Sequence, residues 1–181
     1  MKKTSTKIFL LIILCFTIVT ACTLCLSKSA EPSNVDIFGP EDQEKIQELL
    51  LTYSISDAVE NGCFVIVHGV VKGDSKKAWD NFYANVNSGE DAAILIIQYT
   101  IEGDPILNYV SFTNGSFYSV TDVSRDAWGG PEPYYSGSYK FLNRFKTFGS
   151  TTFILSDIDY DTLKDYENDT GAKYEIFSAS L

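Results

Sequence analysis

The chain has 181 residues, with 14 lysines and arginines against 24 aspartates and glutamates, and a net charge of −10 at pH 7. Acid in that excess repels nucleic acid and anionic lipid surfaces, so neither is expected as a partner. One histidine, His68, leaves no multi-histidine metal site within a single chain, and neither a metal nor an organic cofactor is expected.

The first segment is an export signal. Lys2, Lys3 and Lys7 precede an apolar run over residues 8–19, and small residues follow. Val19-Thr20-Ala21-Cys22 resembles a bacterial lipobox, in which the cysteine receives an acyl (palmitate-type) lipid and becomes the mature N-terminus. A second reading stands beside it. Residues 8–26 are long enough to cross a bilayer as an uncleaved signal anchor, which needs roughly 20 residues. Both readings leave the lysines on the inner side and the rest of the chain outside the cytoplasm. Removing residues 1–21 takes away three lysines and no acid, leaving 11 basic and 24 acidic residues, a net charge of −13. A cationic ligand or metal ion is the class such a charge favours, although acidity by itself also keeps an exported domain soluble.

Residues 22–39 are polar, with Ser27, Ser29, Pro32, Ser33 and Asn34, and read as a tether. A single domain is expected over 40–181, a length that suits one core. Pro40-Glu41-Asp42 starts a helix whose apolar stripe is Ile46, Leu49, Leu50 and Tyr53. Asn61-Gly62 breaks it, and 63–68 is a buried-type strand ending in His68. Asp74 or Ser75 caps the next helix, in which Trp79, Phe82, Tyr83 and Val86 recur at helical spacing up to Gly89. Strand, helix, strand makes a parallel pair.

Residues 92–121 organise the remainder. Ala93, Leu95, Ile97 and Tyr99 point one way and Ile94 and Ile96 the other, so this strand belongs inside a sheet. Gly103-Asp104-Pro105 reverses the chain into a strand expected to be half covered, because Asn108 and Ser111 interrupt its apolar residues. Asn114-Gly115 predicts a type I′ hairpin. Residues 122–138 read as a long aromatic loop, 139–156 as an outer hairpin turning at Gly149-Ser150, 161–167 as a short helix and 174–177 as a last strand. The fold class is therefore α+β: one mixed, mainly antiparallel sheet with a single crossover helix and an N-terminal helix packed on it.

Asn61-Gly62, the strand ending His68-Gly69, the crossover helix and Tyr99-Thr100-Ile101-Glu102-Gly103-Asp104-Pro105-Ile106 together resemble a family of small lipoproteins from Gram-positive bacteria, catalogued as a domain of unknown function. Asp122-Val123-Ser124-Arg125-Asp126 with Trp128-Gly129 fits its next segment, so the resemblance covers residues 60–130. It implies an extracytoplasmic, membrane-tethered protein and brings no activity or catalytic residues.

The residues themselves offer few chemical groups. His68 is either a general base oriented by Glu102 or Asp104, or a structural residue at a strand end. Asp157, Asp159 and Asp161 alternate as in a calcium loop, but Thr162 and Asn168 stand where glycine and a bidentate glutamate belong, so a helix start is the expectation and a looser calcium site the alternative. The compartment permits a Cys25–Cys63 disulfide, and a buried inert thiol at Cys63 is the other reading. Trp128, Tyr134, Tyr135 and Tyr139 either contact an envelope protein or glycan, or fold back over the sheet edge. Two functions follow. One is a lipid-anchored, non-enzymatic binding module on the outer face of the cell membrane; the other is a small envelope enzyme using His68 with Glu102 or Asp104.

Overall fold

The apolar alternation that begins at Ala92 builds strand β3 (Ala92–Tyr99), and both of its faces are covered. The computed structural model describes residues 35–52 and 58–181; the leader, Cys22, Cys25 and Tyr53 lie outside the described residues. Around β3 stand β1 (Phe64–Val67), β2 (Val70–Val71), β4 (Pro105–Thr113), β5 (Ser116–Asp122) and β6 (Tyr134–Tyr139), in the order β2-β1-β3-β4-β5-β6. β1 runs parallel to β3, from Phe64 beside Ile96 to Val67 beside Tyr99, and the other pairs are antiparallel. Helix α1 (Gln43–Thr52) precedes β1, and helix α2 (Lys76–Ser88) makes the crossover to β3.

Each face has its own core. Phe64, Ile66, Ile94, Ile96, Val110 and Phe112 lie under Trp79 and Phe82 of α2. Val65, Leu95, Ile97, Leu107 and Tyr109 lie under Ile46 and Leu50 of α1. Period 2 along the strands and 3.6 along the helices bring these sets together. Asn114 (φ 51°) and Gly115 (φ 76°) take the two left-handed positions of the expected hairpin. Gly89 (φ 75°) closes α2, its N–H bonding to the Val86 carbonyl at 3.1 Å.

Three expectations are corrected. The sheet is not single: β7 (Phe141–Thr147), β8 (Ser150–Ser156) and β9 (Lys173–Ala179) form a separate antiparallel sheet, and its Phe153, Leu155, Ile176 and Phe177 join the core beneath α2. Only Lys140 separates β6 from β7, so the chain passes from one sheet to the other without a loop. The fold class remains α+β. Second, β4 is covered on both faces rather than one. Asn108 and Ser111 are each 1% exposed, and both are satisfied from afar. The Tyr174 hydroxyl donates to Asn108 Oδ1 at 2.5 Å, and Ser111 Oγ donates to the Phe38 carbonyl at 2.7 Å. Polar side chains go inside once partners wait there. Third, neither Asp74 nor Ser75 caps α2 through its side chain. Ser75 Oγ accepts from Val65 N–H at 3.2 Å and donates to the Lys72 carbonyl at 2.6 Å, tying the helix start to β1 instead.

The domain also begins before Pro40. Val35 is buried, and Tyr109 clamps the segment after it: its oxygen accepts from Phe38 N–H at 2.6 Å and donates to the Asp36 carbonyl at 3.0 Å. Burial pushes the Tyr109 hydroxyl up to about 12. A short helix, α3 (Leu163–Asn168), follows Thr162, whose hydroxyl accepts from Asp165 N–H. Among the described residues no helix is long and apolar enough to cross a membrane.

Candidate functional site

Two parallel strands must end side by side, and β1 and β3 do so at Val67 and Tyr99. Past Val67 the chain turns through His68 (φ 50°) and Gly69 (φ 73°). Past Tyr99 it turns through residues 100–104, a tight loop bonded to itself. Thr100 N–H donates to the Asp104 carbonyl at 2.9 Å, and Asp104 N–H donates to Thr100 Oγ1 at 3.1 Å. Between these turns lies a depression of about 440 Å³ lined by Val65, Val67, His68, Tyr99, Ile101 and Gly103. Its walls are almost entirely carbon.

Ile101 stands 87% exposed at its rim. A third turn is fastened beside it. Asp104 Oδ2 accepts from Ala127 N–H at 3.1 Å, and Asp126 Oδ1 accepts from Trp128 N–H at 2.9 Å. Gly129 is required at that turn, since a Cβ there would sit 2.4 Å from the Val123 carbonyl oxygen. The outcome is Trp128 held 81% exposed. Ile101 and Trp128 are thus two large apolar side chains exposed on turns that Asp104 fastens together.

The sequence candidates sort themselves on this geometry. His68, Glu102 and Asp104 come to the same end of the sheet, but no hydrogen bond or ion pair among the described residues joins His68 to either acid. Glu102 is exposed, and the Asp104 carboxylate is occupied by the neighbouring loop. The aromatic loop is shorter than expected, residues 123–133, because β6 pairs with β5 from Tyr134 opposite Asp122 to Tyr139 opposite Phe117. Tyr135 is 49% exposed and Tyr134 is half-buried. Tyr139 packs inward: its ring stacks on Tyr174 at 6.4 Å and lies over Gly137, where a Cβ would meet its Oη at 2.5 Å. Thus Trp128 and Tyr135 project outward and Tyr139 folds back.

Asp157, Asp159 and Asp161 are exposed ahead of α3. Among the described residues no cluster of three or more metal-binding side chains forms. Cys63 is fully buried where β1 begins; its pairing with Cys25 lies outside the described residues.

Two features of this end are missing from the sequence reading. Ile101 carried a signal, a branched apolar residue between Thr100 and Glu102 in a turn that has no apolar neighbour to cover it. The second is Asp122, fully buried on the α1 face with its Oδ1 accepting from Ser124 N–H at 2.8 Å. Nearby, burial raises the Tyr99 hydroxyl, opposed by the Arg125 guanidinium, which also donates to the Leu50 carbonyl at the end of α1.

Residues 64–153 match the model of a family described as a domain of unknown function (DUF4362). The match runs from the first residue of β1 into β8 and includes all three turns of the site. No curated protein and no solved structure matches the chain.

Proposed function

We propose that this chain, whose residues 64–153 belong to that family of unknown function, is an exported lipoprotein of the bacterial cell envelope that works as a non-enzymatic binding module. Cys22 carries the lipid, and the domain stands on the outer face of the membrane. The basic start, the apolar run and Val19-Thr20-Ala21-Cys22 support the anchor. Contact with the partner is made at the carboxyl ends of β1 and β3. One observation carries this: Ile101 and Trp128, from different hairpins, are both thrust into solvent and locked together through Asp104, beside a carbon-walled depression. Anchors fixed before binding lose little freedom when a partner arrives. The partner is an envelope protein or glycan. Trp128 suits either, and the depression suits an apolar side chain of a protein.

Two experiments test the two parts. Cys22→Ala should abolish incorporation of labelled lipid while the protein is still exported; labelling that persists refutes the anchor. A photo-crosslinking residue at position 128 should join the domain to one discrete envelope component in living cells, and the same residue at Phe148, fully exposed on the β7–β8 turn, should not. Identical adduct patterns from both positions would remove the contact surface.

A further inference from the structure

We propose a second binding site, for an oxyanion (a phosphate or carboxylate group), where the inner face of the three-stranded sheet emerges from beneath α2. It is independent of the contact surface on the other sheet. Leu142, Arg144 and Lys146 alternate along the inner face of β7. Leu142 packs on the core, and the two cations then continue the same row outward. Both cations are exposed, and Arg144 lies against two rings. Its guanidinium carbon lies 5.7 Å from the centre of the Phe153 ring and 5.9 Å from that of Tyr83. Lys146 stands opposite Thr151 on β8.

Arg144 and Lys146 line a groove of about 300 Å³ together with Thr147, Ser150, Ser180 and the last residue, Leu181. Its hydroxyls are ordered: Thr147 Oγ1 and Ser150 Oγ lie 2.7 Å apart, and Ser180 Oγ donates to the Gly149 carbonyl at 2.7 Å. Arg144 also lines an adjoining recess of about 190 Å³ with Lys76 and Asp80. There the Asp80 carboxylate is matched by Lys76 Nζ at 2.6 and 2.8 Å. The ion pairs among the described residues are Lys45–Asp42, Lys76–Asp80 and Lys77–Asp74. Neither Arg144 nor Lys146 takes part in one, in a chain with ten more acids than bases.

Two like charges on one face of a strand repel each other, and an anion between them reverses the sign of that interaction. A guanidinium lying against rings presents a fork that fits carboxylate or phosphate oxygens in two parallel bonds; an ammonium two residues along adds a point charge, and one hydroxyl of the Thr147–Ser150 pair keeps a proton to donate. At physiological salt the screening length is about 8 Å, so distant acids do little inside the groove; the near carboxylates are that of Asp80, matched by Lys76, and the terminal one of Leu181, with which an added anion competes. Inward charges on an edge strand can also serve to block sheet-to-sheet association, and the test separates that role.

The full chain would be titrated with inorganic phosphate and, separately, with succinate, following backbone amide shifts at Arg144, Lys146 and Ser150. Saturable binding of at least one probe is expected. Arg144→Gln with Lys146→Gln should weaken it about tenfold or more, a loss in keeping with removal of charge-assisted bonds. Lys146→Gln alone, which keeps the Arg144 stack, should weaken it less, and Lys164→Gln, exposed on α3, should leave it unchanged. Binding of phosphate alone assigns a phosphate ligand, of succinate alone a carboxylate ligand, and of both a general oxyanion site. Absence of saturable binding, or affinity that the double variant retains, overturns the proposal. So does a double variant that self-associates more strongly when no probe binds the parent chain, since Arg144 and Lys146 would then only guard the β7 edge.

Discussion

The two sheets expose opposite chemistry. At the carboxyl ends of β1 and β3 the surface is apolar, set among the acids Glu102, Asp104 and Asp126. At the open end of the three-stranded sheet it is basic and lined with hydroxyls. The difference comes from what each end is made of. Turns that bond to themselves, such as 100–104, can spare their side chains, so an isoleucine faces water. A strand that runs out from under a helix keeps its inward alternation after the core has ended, so Arg144 and Lys146 lie exposed on the face that Leu142 buries, at the wall of a groove. One end offers shape and apolar area, and the other offers charge.

The largest effect that would break this contrast lies between the ends. Trp79, 2% exposed, meets Phe153 at 4.6 Å, Phe177 at 4.7 Å and Phe64 at 5.7 Å, and joins both sheets to α2. Trp79→Ala should cost about 3–5 kcal/mol, read as a lowered denaturant midpoint. Because Trp79 also lines the recess beside Arg144, oxyanion binding should fall even where the variant is still folded, whereas crosslinking from position 128 should not.

The next effect is a pH dependence. Burial pushes the hydroxyls of Tyr109 and Tyr174 up to about 12 from the ordinary tyrosine value of 10.0. A proton held more tightly in the folded state means that stability is complete below pH 10 and declines as the pH rises through 10 to 12. The decline is about 1.4 kcal/mol per pH unit for each such group. Tyr174 joins the sheets through Thr121 and Asn108, and Tyr109 holds the N-terminal segment on β4. Unfolding measured from pH 9 to 12 should show the decline, and Tyr109→Phe should make it shallower. A flat profile would contradict the burial of both groups.

A smaller change should touch only the apolar end. Asp104→Ala removes the acceptor for Ala127 N–H and should cost about 1 kcal/mol. Hydrogen exchange should speed up at residues 127–129 and crosslinking from position 128 should become diffuse, with phosphate or succinate binding unaltered. Smallest in stability is Ile101→Ser with Trp128→Ala, expected within about 0.5 kcal/mol of the parent. Its effect should appear in partner contact alone, and unchanged contact would show that the exposed pair does not serve recognition.

Local chemistry was readable in the sequence wherever it decides the structure by itself. Asn114-Gly115, Gly89, the two apolar faces of β3 and the helical spacing of Trp79, Phe82, Tyr83 and Val86 each specify their own geometry. The errors came where a distant residue decides. Asn108 and Ser111 looked like the wet side of a half-covered strand, since nothing nearby announces Tyr174 or the Phe38 carbonyl as partners. Tyr139-Lys140-Phe141 contains no glycine or proline to mark the switch between sheets, so two sheets read as one. At the candidate site, His68, Glu102, Asp104 and Trp128 were named, and they do gather at one end. There the Asp104 carboxylate positions a loop, and Ile101 and Tyr99 help line the depression. The Arg144–Lys146 groove was hidden because alternation along β7 gives direction only when its partner sheet is known.

The grip of Tyr109 and Ser111 on residues 36–38 has a mechanical consequence. Tension applied through the N-terminus enters at β4, one of the two central strands of the larger sheet, and is shared at once with the strands on either side. A domain suspended from an edge can be peeled strand by strand. Held at its middle, this one has to yield as a block to any load on residues 36–38.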